Sequence, residues 1–272
     1  MQLEKRITDI KHFYEMVSQI KKANRKYLSN FFLREPVFLK AIQQGDVTYV
    51  YKENEYLNLW WKKENFKRLY YFIADPCYYK IENDCSWCVC DFVGRPIHLA
   101  EVCETLRNAG MHRHAAYNRW VCDNPVHSNS KMHDDFRIVD EDDGNLFINA
   151  LNLYFDKLSD LLPDQNETDE FIRDMHFIGI HDIYSDALVA GMVYSKEGCV
   201  ITEKFLFAAS GCRRQGMGRM LHNTLYKKYA GEKIKCIAWI RENNLESINL
   251  HKAYNYEKQN LMKITFLKTE SI

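Results

Sequence analysis

The sequence lacks several features that would each mark a particular class of protein. It has no net charge, because Lys plus Arg and Asp plus Glu number 37 each, and neither half has the strong basic excess of a nucleic-acid-binding domain. No apolar run approaches the ~20 residues needed to span a membrane, and the opening MQLEKRITDI is too charged for a signal peptide. We therefore expect a cytoplasmic protein with no nucleic-acid or membrane partner, and leave the oligomeric state open.

We also expect that disulfide bonds do not stabilise this fold. The chain has nine cysteines, and an odd number without an export signal favours reduced thiols. Cys77, Cys85, Cys88 and Cys90 could together hold a tetrahedral zinc ion, but only one CxxC pair is present. We favour the alternative, a buried strand on which Cys88 and Cys90 share one face.

What the sequence does contain is a strand, a tight loop and a helix, predicted over residues 199–230. Residues 200–208 are rich in apolar and β-forming side chains, and Ser210-Gly211 ends this strand. Apolar side chains then recur at helical spacing from Met217 onward. The residues placed on the other side of that helix are Arg219, His222, Lys227 and Lys228.

The loop before this helix is predicted to bind phosphate. Gly216 and Gly218 let the backbone approach a ligand closely, and a helix start presents unpaired N–H groups together with the positive end of the helix dipole. Arg213 and Arg214 add positive charge at the mouth of the loop. The alternative is a glycine-rich turn without a ligand, which a second motif downstream makes less favoured.

Two motifs in the second half are found in the order typical of one enzyme superfamily. The first is Arg213-Arg214-Gln215-Gly216-Met217-Gly218, and the second is Asn244-Leu-Glu-Ser247-Ile-Asn-Leu250-His251, followed by Asn255-Tyr256. They resemble the Arg/Gln-x-x-Gly-x-Gly/Ala and Asn-x-x-Ser/Ala-x-x-Leu-Tyr/His signatures of the GNAT superfamily of N-acetyltransferases. Asn255 replaces the usual glycine, and asparagine tolerates the left-handed conformation needed at a helix end. The resemblance covers residues 136–272.

The resemblance implies acetyl-CoA as the acyl donor and an amine of a small molecule or peptide as the acceptor. In the family the loop holds the pyrophosphate, the end of the preceding strand pairs with the pantetheine arm, and the sheet opens beside that strand to admit the thioester. The positions that match the family's cofactor-binding residues are Leu206, Phe207, Ala208, Arg213, Arg214, Gln215, Gly216, Met217, Gly218, Arg219, Asn244 and Ser247. No metal ligand is predicted among these site residues.

Two residues are candidates for catalysis. His251 stands where many family members have a tyrosine that protonates the leaving thiolate, and histidine can also be a general acid; alternatively it only packs beside the cofactor. Glu203 is the candidate for the general base on this strand, although its odd offset from Ala208 predicts opposite faces of a regular strand. A water relay from the first strands of this half is the alternative to Glu203.

The order of elements predicts an α+β fold with a mixed, mostly antiparallel twisted sheet flanked by helices. The polar segment 123–135 is the predicted linker between an N-terminal domain, residues 1–122, and the acetyltransferase-like domain, residues 136–272, which includes a helix predicted over 145–162. The first half has a similar order of elements, but no GxG loop follows its strand 69–75. We interpret it as a degenerate repeat that does not bind CoA in the usual way; an unrelated α+β domain is the alternative.

The sequence therefore predicts an N-acyltransferase that uses acetyl-CoA. One alternative is an aminoacyl transferase of the tandem GNAT-like type, which the intact phosphate loop disfavours because such enzymes do not need it. The other is a non-catalytic sensor of acyl-CoA, for which the missing general base is the only support. The acceptor is not predicted, because loops around the cleft determine it.

Overall fold

The computed structural model describes residues 4–24, 27–31, 33, 35–63, 65–75, 79, 81, 87–108, 110–125, 134–165 and 167–268. The chain divides into two compact units. Unit 1 consists of Met1–Ala116 and Leu261–Ile272, and unit 2 of Tyr117–Asn260. Each unit contains a mixed, mostly antiparallel sheet with helices, as the sequence predicted.

The first part of the chain contributes six strands and three helices in the described residues. These are β1 (Lys5–Arg6), α1 (Ile10–Ala23), β2 (Leu28–Ser29), α2 (Glu35–Gln44), β3 (Val47–Lys52), β4 (Tyr56–Lys62), β5 (Lys67–Ile73), β6 (Cys88–Gly94) and α3 (Pro96–Asn108). In helix α1, Asp9 caps the N-terminus by accepting from the Lys11 N–H, and the apolar side, including Phe13 and Ile20, is buried.

The second part, over the residues that the structure describes, contributes seven strands, four α-helices and a short 3-10 turn. These are β7 (His112–Asp123), β8 (Phe136–Glu141), α4 (Gly144–Tyr154), α5 (Thr168–Asp174), β9 (His176–Asp182), β10 (Leu188–Glu197), β11 (Val200–Ala208), the turn Ser210–Cys212, α6 (Met217–Lys228), β12 (Lys235–Arg241), α7 (Leu245–Ala253) and β13 (Glu257–Lys268). In unit 2 the strand order is β7-β12-β11-β10-β9-β8, and in unit 1 it is β1-β3-β4-β5-β6-β13, with β2 beside β5.

Among the described strands, each unit has one parallel pair, and in each the paired stretch is short. In unit 2, β11 and β12 pair in parallel from Val200↔Lys235 to Glu203↔Ala238, and the remainder of β11 continues without β12 as a ladder partner. In unit 1, β5 and β6 pair over three positions, beginning at Lys67↔Cys88. The sheet of unit 2 therefore opens after Glu203, while β11 continues to Ala208, where the loop to α6 begins.

The final strand of each unit comes from the other half of the sequence. Strand β7 follows α3 in the chain, yet it pairs with β12 in unit 2; β13 follows α7, yet its later residues pair with β6 in unit 1. The division predicted at 123–135 therefore differs from the compact units, which separate at 116/117 and 260/261. The reason is that strand pairing, not chain order, decides which residues pack together.

One predicted helix is shorter than the sequence suggested. The helix expected over 145–162 ends at Tyr154, because side-chain carboxylates accept hydrogen bonds from backbone N–H groups in the segment that would continue it. Asp156 Oδ1 accepts a hydrogen bond from the Leu158 N–H at 2.9 Å, and Asp160 Oδ2 accepts one from the Asp156 N–H at 2.9 Å. Leu161 then adopts a left-handed conformation with φ 56°.

The predicted cysteine strand is present as β6. Cys88 and Cys90 both lie on it as buried cysteines outside any disulfide bond, and burial raises the pKa of Cys90 well above its ordinary value. The other two members of the suggested zinc set, Cys77 and Cys85, lie outside the described residues.

A glycine in β10 gives a direct test of the packing in unit 2. A Cβ added to Gly191 would lie 2.5 Å from Phe147 Cε1 and 2.6 Å from Phe207 Cζ, two buried rings. We expect Gly191→Ala to lower the free energy of unfolding by about 1–3 kcal/mol, measured by urea denaturation. Gly211→Ala is the control, since its Cβ would have no atom within 4 Å. Equal midpoints for the two variants would contradict this packing.

Candidate functional site

The predicted phosphate loop leads from β11 into α6 by two left-handed residues. After the turn Ser210–Cys212, Arg214 has φ 64° and Gly216 has φ 81°. Gly216 is the N-cap of α6, and no side chain caps the helix there. A left-handed N-cap without a capping side chain leaves the first N–H groups of the helix to another acceptor.

The geometry of the loop suits an anion. The first backbone hydrogen bond into α6 runs from the Met220 N–H to the Gly216 carbonyl oxygen at 3.0 Å, so the N–H groups of residues 217–219 have no carbonyl of the helix to bond. Arg213, Arg214 and Arg219 are exposed beside these N–H groups. Unpaired N–H groups, a helix N-terminus and guanidinium groups together favour phosphate.

The other predicted loop residues have mainly structural contacts. Gln215 turns back and donates to the Gly211 carbonyl oxygen at 3.1 Å, and the Met217 side chain is buried in the core of unit 2. Gly218 allows α6 to approach α7, because a Cβ there would lie 2.6 Å from Leu250 Cδ2. Met217 and Gly218 could therefore contact a cofactor through their backbone rather than through side chains.

The end of β11 offers backbone rather than side chains to a ligand. Leu206 and Ala208 are half-buried, and Phe207 is buried and stacks on Tyr154 with ring centroids 5.3 Å apart. On one side these residues pair with β10, whereas β12 pairs with β11 only as far as Glu203. On the side of β11 that faces away from β10, the backbone N–H and C=O groups beyond Glu203 are thus not paired with β12. An extended chain such as pantetheine could pair with groups in this position.

A β-bulge corrects the predicted orientation of Glu203. Along β10, Val193 pairs with Phe205 and the next residue, Tyr194, pairs with Glu203, so that Lys204 is an extra residue. The side-chain alternation shifts at this point. Glu203 consequently lies on the face of β11 that carries Leu206 and Ala208, and the prediction of opposite faces was wrong.

On that face Glu203 meets two histidines in the interior of unit 2. Glu203 Oε2 lies 3.2 Å from His222 Nε2 and 3.1 Å from His251 Nε2. His222 comes from α6 and His251 from α7, and the three residues are only 0–6% exposed. The two imidazole rings are perpendicular, with centroids 5.0 Å apart. We call Glu203, His222 and His251 the buried triad.

Backbone carbonyl groups and tyrosines surround the buried triad. His222 Nδ1 lies 2.8 Å from the Gly218 carbonyl oxygen, and His251 Nδ1 lies 2.7 Å from the Ser247 carbonyl oxygen. The hydroxyl of Tyr256 donates to Glu203 Oε1. Beyond these contacts, the Tyr226 and Tyr256 hydroxyls lie 2.9 Å apart, and Tyr254 stacks on the His222 ring.

The charges in the buried triad stabilise one another. Burial alone would raise the pKa of Glu203, but the charge and hydrogen bonds of His222 and His251 outweigh it and hold that pKa well below its usual range. Burial would likewise lower the pKa of His222, yet the neighbouring Glu203 carboxylate raises it above its ordinary value. The triad is thus an arrangement that retains positive charge beside the carboxylate.

His222 was placed on the wrong side of its helix by the sequence. It is 0% exposed, whereas the pattern of apolar residues grouped it with exposed lysines and arginine. Helix α6 is buried over a wide arc that also includes Tyr226. The available signal was the i, i+4, i+8 spacing of Gly218, His222 and Tyr226, which forms one stripe along the helix.

The second motif forms the start and end of α7. Asn244 is the N-cap, and its side-chain oxygen accepts from the Ser247 N–H at 3.1 Å; Ser247 Oγ lies 3.3 Å from His251 Nδ1. Asn255 has φ 64°, so it adopts the left-handed conformation that the sequence suggested. His251 has both ring nitrogens in contact with protein atoms, so in this arrangement neither is available to a leaving thiolate.

Comparison with known proteins relates part of the sequence to a family and the chain as a whole to a known fold. Residues 130–256 match the sequence model of the acetyltransferase (GNAT) family. No curated protein sequence gives a significant match. Among the described residues, no helix has the length and apolar character to cross a membrane.

Several solved structures resemble the chain over nearly its whole length. A tandem GNAT protein from the clavulanic acid biosynthesis pathway is 10% identical, with 98% of each chain covered and a TM-score of 0.64. A protein from Drosophila is 11% identical over 100% of each chain, with a TM-score of 0.57. A GCN5-related N-acetyltransferase from Sphaerobacter thermophilus is 7% identical, covering 94% of this chain and 91% of its own, with a TM-score of 0.56. These likenesses concern the fold, and they confirm the predicted tandem arrangement with a GNAT-like first half.

Proposed function

Because residues 130–256 match the sequence model of the acetyltransferase (GNAT) family, we propose that this protein is an N-acetyltransferase that uses acetyl-CoA as the acyl donor. The acceptor would be an amine of a small molecule or peptide. The observation that carries the proposal is the loop 213–219, where exposed arginines flank N–H groups that the helix itself leaves unpaired. An anion of the size of pyrophosphate is the ligand that this combination favours.

The opening of the sheet supports the same function. Pantetheine carries amide groups, and the open side of β11 beyond Glu203 would provide backbone partners for them. The thioester would then enter between β11 and β12, at the end of their paired stretch. The loop 213–219, the end of β11 and the opening of the sheet follow one another along a single strand. Pyrophosphate, pantetheine and thioester follow one another in the same order along acetyl-CoA.

The reaction we propose is direct transfer of the acetyl group. The unprotonated amine attacks the thioester carbonyl carbon, a C–N bond forms, and the C–S bond breaks with release of the CoA thiolate. The amine loses one proton to a base, and the thiolate gains one on becoming a thiol. An opened sheet favours this route because it holds the thioester in one orientation beside the site of attack.

We assign Glu203 and His251 to positioning rather than to proton transfer with the substrate. Their side chains are each 3% exposed and contact one another, so they would hold β11 and α7 together where the sheet opens. The amine proton would leave through water, the alternative to Glu203 that the sequence suggested. Because this role affects the geometry of the thioester, Glu203→Gln should lower kcat more than it raises the KM for acetyl-CoA.

A binding and turnover experiment tests the proposed function. Calorimetry with acetyl-CoA should show one site per chain, and a thiol-release assay with a panel of amino acids, polyamines, aryl amines and peptides should identify at least one acceptor. No binding of acetyl-CoA would refute the proposal. Binding without thiol release for any amine would instead support a non-catalytic sensor.

A further inference from the structure

We propose that the buried triad of Glu203, His222 and His251 binds a divalent transition-metal ion, with Zn²⁺ as the preferred occupant. The proposal does not depend on acetyl transfer. It rests on three donor atoms, His222 Nε2, His251 Nε2 and a Glu203 oxygen, that all lie within 4.8 Å of one another in the interior of unit 2. Two imidazoles and one carboxylate are a donor set that suits zinc.

The hydrogen bonds of the two histidines fix which nitrogen atoms face inward as donors. Nδ1 of His222 and Nδ1 of His251 each contact a backbone carbonyl oxygen, at 2.8 and 2.7 Å. A carbonyl oxygen only accepts, so each Nδ1 carries a proton. In the neutral imidazole, Nε2 therefore has its lone pair directed at the carboxylate of Glu203.

When both imidazoles are neutral, three electron pairs converge on one region and need a positive species between them. Without a metal ion, each imidazole can meet Oε2 only by carrying a second proton and donating its Nε2–H, over contacts of 3.2 and 3.1 Å, so that two imidazolium groups would share one buried carboxylate oxygen. A divalent cation accepts electron pairs from all three atoms at once. The observed separations agree with the ~3.3 Å expected between two ligands of a tetrahedral zinc ion with bonds of 2.0–2.1 Å.

The groups around the buried triad would hold the three metal ligands in a fixed orientation. Ligating histidines commonly donate their second N–H to a backbone carbonyl, as both do in the buried triad, and ligating carboxylates are themselves hydrogen-bonded. Here the Tyr256 hydroxyl donates to the other oxygen of Glu203, and Tyr254 stacks on the His222 ring at 4.9 Å. Three protein donors leave a coordination position for water.

The three ligands also come from three separate elements, β11, α6 and α7. An ion bound to all of them would cross-link the strand to both helices. Binding to the folded state alone stabilises that state, so the thermal midpoint should rise with the concentration of free metal. This gives a measurement that does not involve catalysis.

The test uses the full chain, first stripped of metal with a chelator, and then titrated with Zn²⁺ in the absence of CoA. We expect one equivalent of zinc per chain by elemental analysis, and a thermal midpoint raised by roughly 5–10 °C when free Zn²⁺ is about 100-fold above Kd. Co²⁺ should give the intense visible absorption of a four-coordinate site. His222→Gln and His251→Gln should each weaken binding at least ~100-fold.

His181→Gln is the matched control, since His181 is also buried in unit 2 but lies outside the triad. Circular dichroism of each variant verifies that it is folded, and Glu203→Gln, which keeps the size of the side chain, provides a third ligand variant. One equivalent of zinc that is lost in the triad variants and retained in His181→Gln supports the proposal. Absence of stoichiometric zinc, or zinc binding that the triad variants leave unchanged, overturns it, whatever the outcome of the acetyl-CoA experiment.

Discussion

Gly216→Val should weaken acetyl-CoA binding at least ~100-fold, an effect of about 2.8 kcal/mol on binding. Gly216 has φ 81°, and a β-branched residue is strongly disfavoured in that conformation. Valine would therefore either rotate the backbone, which turns the N–H groups at the start of α6 away from the ligand, or place its side chain in the space that the pyrophosphate needs. Calorimetry of the variant with acetyl-CoA measures the loss.

The fold should tolerate this substitution, because a Cβ at Gly216 would have no atom within 4 Å. Gly231→Val is the matched control. Gly231 has φ 89°, a Cβ there would also have no neighbour within 4 Å, and it lies beyond the C-terminus of α6. Both variants place valine at a similar positive φ, but only Gly216→Val alters the loop. Equal affinities of the two variants for acetyl-CoA would show that the loop is not the pyrophosphate site.

The parts of the site that depend on local chemistry could be predicted from the sequence. Strand β11 was expected over 200–208 and is observed as Val200–Ala208, because a run of apolar residues followed by Ser210-Gly211 defines both ends. The start of α6 at Met217 and the left-handed Asn255 were predicted on the same kind of signal. Glycine, asparagine and helix-start chemistry act within a few residues, so they are visible without the fold.

The buried triad could not be predicted, because it depends on contacts between distant segments. The bulge at Lys204 exists only in the register between β11 and β10, and without it Glu203 would face away from α6. The inward side of His222 depends on α7, which packs so closely that Leu250 leaves no room for a Cβ at Gly218. The bulge has no signal within its own segment of sequence, and the stripe that contains Gly218 and His222 does not indicate which helix packs against it.

The placement of the final strands, β7 and β13, could not be predicted from the sequence for a similar reason. Chain order suggested that β7 would complete the first half and β13 the second, since neighbouring elements usually pack together. Instead β7 pairs with β12 and β13 pairs with β6. Both arrangements satisfy the same alternation of apolar and polar residues, so the sequence pattern does not distinguish them.

The second large effect is expected on stability, from removal of the carboxylate at the centre of the buried triad. Glu203→Ala should lower the free energy of unfolding by about 3–5 kcal/mol, the cost of leaving buried charged partners without their counterpart. In the variant the Nε2 atoms of His222 and His251 would both lose their contact, and the hydroxyl of Tyr256 would lose its acceptor. Urea denaturation in the presence of a chelator measures this loss without a contribution from bound metal.

A double-mutant cycle separates the interaction from simple loss of packing. If Glu203 and His222 stabilise each other, Glu203→Ala combined with His222→Ala should cost less than the sum of the two single variants, by roughly 1–3 kcal/mol. Glu197→Ala is the control, because Glu197 is an exposed residue on β10, the strand that pairs with β11, and should change stability by less than about 0.5 kcal/mol. If Glu203→Ala unfolded at the same urea concentration as Glu197→Ala, the carboxylate would not be the group that holds β11 to α6 and α7.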